Sequence, residues 1–185
     1  MSSGTLIAII VPVAVVILAC VLAAGMVTRR RRLQARFGPE YERAVETKGS
    51  RRAAERDLRE REERHDALHI KQLPAPVRDR YAHEWDRVQE RFVDQPDDAV
   101  HEADRLVTSL MSERGYPTEG LEQQLSDLSV EHGRTLEHYR AAHEVRGRST
   151  RQEATTEELR GAMVHYRALF TELLHNGHRP PEARA

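Results

Sequence analysis

The chain has 185 residues, with 29 Lys+Arg against 30 Asp+Glu, 32% charged and 5% aromatic residues, and a single cysteine, Cys20. One cysteine excludes an intramolecular disulfide and leaves no thiol nucleophile after Cys20. The near-neutral total hides an asymmetry: residues 29–93 carry 18 basic against 13 acidic side chains, and residues 94–185 carry 11 against 17. Lys48 and Lys71 are the only lysines, which reads as coding bias toward arginine.

Leu6 to Val27 is a run of 22 residues without a charge or a strongly polar side chain. As a helix it would reach about 33 Å, enough for a hydrocarbon core of about 30 Å. Pro12 and Gly25 interrupt the run, and both are tolerated in membrane helices. A cleaved signal peptide is a poorer reading. Residues 1–5 hold no Lys or Arg, and the run exceeds the roughly 7–15 residues of a signal core. Ile17-Leu18-Ala19-Cys20 only loosely resembles a lipoprotein box, and the chain stays apolar after Cys20.

Arg29, Arg30, Arg31, Arg32 and Arg36 follow the span. Basic residues at one end of a span mark the cytoplasmic side, so the expected topology is single-pass, with the N-terminus outside and the C-terminal part cytoplasmic. The same five arginines are the candidate membrane-surface contact, each near an anionic surface contributing about 1 kcal/mol. They lack the interleaved aromatics of a single-stranded nucleic-acid site, and no nucleic-acid partner is expected.

Beyond the anchor (residues 1–28), a basic juxtamembrane segment with charged stalk helices is expected over 29–73. Gly38-Pro39 suits a helix start and Gly49-Ser50 a stop and restart. Arg51 to Leu68 carries Leu58 as its only large apolar residue before Leu68, so it reads as a solvated arm. Leu73-Pro74-Ala75-Pro76 punctuates the chain. From there to residue 175 the pattern is that of a helical bundle of about five helices. Val77, Tyr81, Trp85, Val88 and Phe92, at spacings of 4, 4, 3 and 4, form one stripe. Trp85 suits a core anchor better than a ligand platform. Gln95-Pro96-Asp97-Asp98 opens a helix that Arg114-Gly115-Tyr116-Pro117 closes. Thr118 is the expected cap of a shorter helix with Leu121, Leu125 and Leu128. A further helix follows Gly133 with Leu136, Tyr139 and Val145. Arg146 to Ala154 reads as a mobile polar loop, and Thr155 to Glu158 as a capping box before the last helix. Residues 176–185 are expected to be a disordered tail. With no strand-period stretch, the fold class is all-α.

The chain resembles a family of uncharacterised actinobacterial single-pass membrane proteins, often described only as membrane or secreted. The residues that carry this likeness are Arg36 to Tyr41, Gln89 to Asp94, Arg114 to Pro117, Ser126 to Val130, Glu153 to Leu159 and Ala162 to Arg167. It implies the architecture above and supplies no catalytic residue.

Ten histidines invite a metal hypothesis. His65 and His69 have the i,i+4 spacing of helical zinc ligands. With no third ligand fixed nearby, they read as solvated side chains. His138, His143 and His165 fall on amphipathic helices, where pocket-lining roles are possible and partly buried structural roles commoner. The G-x-S-x-G, P-loop and G-x-G-x-x-G signatures are absent. The expectation is therefore a chain without enzymatic activity, cofactor or metal: a membrane-tethered helical interaction or scaffold module for an unidentified protein partner. The alternative is a sensor of a small ligand or lipid headgroup using a pocket in the bundle.

Overall fold

A computed structural model describes residues 3–175, with side chains from residue 16 onward. The described residues are all-α, with eight helices and no strand. They are α1 (Ser3–Phe37), α2 (Pro39–Lys48), α3 (Arg51–Ala67), α4 (Ala75–Arg91), α5 (Pro96–Arg114), α6 (Leu121–His132), α7 (Leu136–Thr150) and α8 (Thr156–His175). The tail expected from residue 176 lies outside the described residues. The chain divides into two units, residues 1–58 and 59–185, with the boundary inside α3.

In the first unit α1 runs without a break from Ser3 through the arginine block to Phe37. Among the described residues no helix is long and apolar enough to cross a membrane. The apolar part of α1 with described side chains, residues 16–28, covers about 20 Å. The side chains of residues 6–15 in the expected span lie outside the described residues. Gly38, at φ 54°, turns the chain out of α1, and Pro39 opens α2 in the first turn, where its missing N–H is no loss. Gly49, left-handed at φ 62°, ends α2. Leu33, Phe37, Tyr41, Ala44, Ala54 and Leu58 are buried, several of them completely. The Tyr41 hydroxyl donates to Glu55 (2.9 Å), and Lys48 pairs with Asp57 at 3.0 Å.

Here the expectation of a solvated arm over 51–68 is corrected: Leu58 and Ala54 are 0% exposed and His65 5%. Ala54, Leu58 and His65 recur at i, i+4 and i+11, which is one helical face. The face holds a small residue and a histidine beside its single leucine, so its mean hydropathy is low although it is buried.

The second unit is built on α5 and α8. α8 packs against both α5 and α7, α4 covers α5, and α6 meets α7. Tyr81, Trp85 and Val88 of α4 are buried in the core, with Val100, Ala103, Val107, Leu110 and Met111 of α5 and Leu159, Ala162, Tyr166, Leu169, Phe170 and Leu173 of α8. Trp85 stacks on Phe170, ring centroids 4.7 Å apart, and its indole N–H donates to Gln89 (2.8 Å).

α5 closes as its sequence suggests. Gly115 is left-handed at φ 97°, its N–H bonds Ser112 O, and Tyr116 N–H bonds Met111 O at 3.0 Å, the paired bonds of a Schellman motif. The capping box forms too: Glu158 N–H donates to the Thr155 hydroxyl (3.3 Å), and Thr155 N–H donates back to the Glu158 carboxylate (2.7 Å). The Thr155 N–H, then Arg148 and the Thr155 hydroxyl, all donating to it, hold the Glu158 carboxyl down at about 2.

Two boundaries differ from expectation. Gly120, not Thr118, precedes α6, and the Thr118 carbonyl accepts the Gln124 amide instead. α7 continues to Thr150, through half of the expected loop. Its polar last turns are held by distant partners. Arg146 lies 3.1 Å from Asp104, Arg148 donates to Glu158, and Ser149 donates to Asp97.

Candidate functional site

Within the second unit the polar side chains gather in three places. The first lies where α5, α7 and α8 meet. Asp104 is 7% exposed. Its Oδ1 accepts the Tyr166 hydroxyl at 2.9 Å and faces His143 Nδ1 at 3.3 Å, while Arg146 Nε sits 3.1 Å from Oδ2. Burial pushes the Asp104 carboxyl up. The bonds from His143 and Tyr166, with the Arg146 and His143 charges, outweigh it, and the net direction is down. Tyr166 moves the other way: burial first, then the Asp104 charge, raises its hydroxyl far above the ordinary value. Tyr139 is raised to about 12 by burial and the same carboxylate.

The second cluster is centred on His132 of α6, which is 0% exposed. Its Nδ1 lies 3.0 Å from Glu172 of α8, and its Nε2 lies 3.3 Å from the Tyr116 hydroxyl. The Thr135 hydroxyl donates to the other oxygen of Glu172, and Tyr116 donates to Glu131 at 3.1 Å. Burial, with the Glu131 charge behind it, raises the Tyr116 hydroxyl. His65 closes the row. Its ring nitrogens are buried without a hydrogen bond, 3.7 Å from Asp66 and 3.8 Å from Glu131. Beside this cluster Arg114, 3% exposed, donates to the Leu173 carbonyl at 2.9 Å, satisfying a last-turn acceptor of α8.

The third is a pair on adjacent helices: His138 of α7 and His165 of α8, with Nδ1 atoms 2.9 Å apart. Burial, then the charge of His138, lowers the His165 imidazole.

The structure separates residues that their spacing had joined. α3 ends at Ala67, so His69 lies past its C-terminus, and His65 is buried rather than solvated. His138 and His165 come together, while His143 joins Asp104 instead. The five arginines stand on the C-terminal third of α1: Arg29, Arg31 and Arg32 are exposed, and Arg30 and Arg36 are half-buried. Among the described residues no group of three or more His, Cys, Asp or Glu is placed to hold a metal ion. The pairings across 27 to 62 residues leave no periodic trace in the sequence.

Comparison of the chain with known protein families, curated proteins and solved structures gives no match.

Proposed function

We propose that this chain is a non-enzymatic, membrane-tethered helical module. In this reading α1 spans the bilayer once, the N-terminus lies outside, and the helices after α1 serve in the cytoplasm as an interaction or scaffold surface for a protein partner. The observation that carries the reading is the exposed apolar ring on α1. Val16, Ile17, Leu18, Val21, Leu22, Met26 and Val27 are 51–67% exposed, and they point to every side of the helix. An apolar surface of this kind is costly in water and stable in hydrocarbon. The same unbroken helix continues into Arg29 to Arg32, which favour the cytoplasmic side, and then into the buried Leu33 and Phe37.

The module reading draws support from the second unit. Its buried Asp104 bonds to Tyr166 and its buried His132 to Tyr116, and its core is built of apolar side chains. The surface is then what it has to offer, with an acidic balance over residues 94–185. The likeness to actinobacterial single-pass membrane proteins fits the same reading.

Purification of the tagged full chain from its native membrane after in-cell crosslinking, with mass spectrometry, tests it. A cytoplasmic protein should co-purify in stoichiometric amount. Recovery of the chain alone would refute the interaction role. The arginine contact is tested with a fragment starting at Arg29. It should bind vesicles containing anionic lipid, weaken as salt shortens the Debye length below about 8 Å, and ignore neutral vesicles. Equal binding to both would reduce the block to a topology signal.

A further inference from the structure

We propose that His138 and His165 form a site for a divalent transition-metal ion, copper(II) or nickel(II) foremost, that clips α7 to α8. The two Nδ1 atoms are 2.9 Å apart. The ring centroids are 5.0 Å apart and the planes 26° from parallel. The 2.1 Å left between 5.0 and 2.9 Å is nearly taken up by each nitrogen's own distance from its ring centre. The rings therefore meet edge to edge through Nδ1, and one Nδ1–H donates to the other Nδ1.

A metal ion takes the place of that proton. Imidazole–metal bonds are about 2.0–2.1 Å long, so two at right angles hold their nitrogens about 2.9 Å apart, and a tetrahedral ion needs about 3.3 Å. The observed separation is that of the N–H···N bond, which places the two nitrogens close enough for one ion once both rings swing toward it, and two imidazoles meeting at right angles suit the tetragonal geometry of copper(II) and nickel(II). The ion would sit beside the N···N line, with both rings swung about χ1 and χ2 so that each Nδ1 lone pair faces it, a movement the exposed His138 has room to make. The donor ring keeps its proton by moving it from Nδ1 to Nε2, so both ligands bind neutral. His138 is exposed and His165 half-buried, so water can reach the ion and fill its remaining positions. Copper(II) should bind more tightly than nickel(II) or zinc, and magnesium, which prefers oxygen, should not bind. The two ligands come from either side of the α7–α8 turn at 151–155, well away from it, so a bound ion ties the helices where the turn does not.

The test uses the untagged full chain in detergent micelles, titrated with the chlorides of copper, nickel, zinc and magnesium. At ten times the dissociation constant the first two should raise the melting temperature by roughly 3–6 °C, and magnesium should leave it unchanged. His138→Gln and His165→Gln should each abolish the rise, and the double variant should remove no more. His83→Gln, an exposed histidine on α4, should keep it. Electron paramagnetic resonance of the copper form should show two nitrogen donors in the wild type. If a glutamine variant loses its helical circular dichroism, that nitrogen count decides by itself. A rise that survives both single variants, no rise with copper or nickel, or one nitrogen in the wild type would overturn the proposal.

Discussion

Replacement of Asp104 by alanine probes the polar joint between α5, α7 and α8 most sharply. The carboxylate accepts the Tyr166 hydroxyl, and Tyr166 is 0% exposed. Without its acceptor that hydroxyl is left buried and unsatisfied, at a cost of about 1–3 kcal/mol. His143 and Arg146 also lose a partner, but their side chains are 28% and 34% exposed, so water compensates much of that loss. Together the change should cost about 2–4 kcal/mol, against a total stability for such domains of about 5–15 kcal/mol. Tyr166→Phe removes the hydroxyl and leaves the carboxylate its other two partners, so it should cost about 1 kcal/mol. The pH dependence has a definite sign. The Asp104 carboxyl is held below its ordinary value when folded. Its contribution is therefore present above the unfolded value near 4 and fades as pH falls through the folded one. Urea unfolding at pH 7 and at pH 3 should show the gap between wild type and Asp104→Ala narrowing in acid. A variant within 0.5 kcal/mol of wild type, or a gap that widens on acidification, would refute the reasoning.

Leu58→Ala and Trp85→Ala should destabilise comparably, by about 2–5 and 3–5 kcal/mol, because Leu58 is 0% exposed and Trp85 5%. A negligible loss at Leu58 in urea unfolding would restore the solvated arm. Gly115→Ala should cost about 1–3 kcal/mol, since φ is +97° and a Cβ would stand 2.7 Å from the His69 carbonyl oxygen. An unchanged urea midpoint would show that this turn relaxes freely.

What the sequence reveals here is the apolar periodicity and the punctuation. Tyr81, Trp85 and Val88 announce their face of α4 because large side chains recur at helical spacing. Gly49 and Gly115 announce helix ends because each sits in the left-handed region that glycine accepts most readily. Thr155 and Glu158 form their box through reciprocal bonds from each backbone N–H to the other's side chain, only three residues apart. The rest depends on distance. His65 and Asp104 are buried through partners far along the chain, and a polar residue buried in that way looks like a solvated one to a periodicity argument. The same blindness shortens α7, since its polar last turns find their partners for Arg146, Arg148 and Ser149 at Asp104, Glu158 and Asp97, outside the helix. The arginine block is legible as charge, but its place on an unbroken helix that ends in the buried Phe37 is not.

The tether is the claim on which the functional reading depends, and alkaline extraction of membranes from cells expressing the full chain tests it most directly. Carbonate strips proteins held by charge and leaves those held by hydrocarbon. An α1 that spans the bilayer keeps the full chain in the membrane pellet, while a version lacking residues 1–28 moves to the supernatant. Release of the full chain by carbonate would contradict the account.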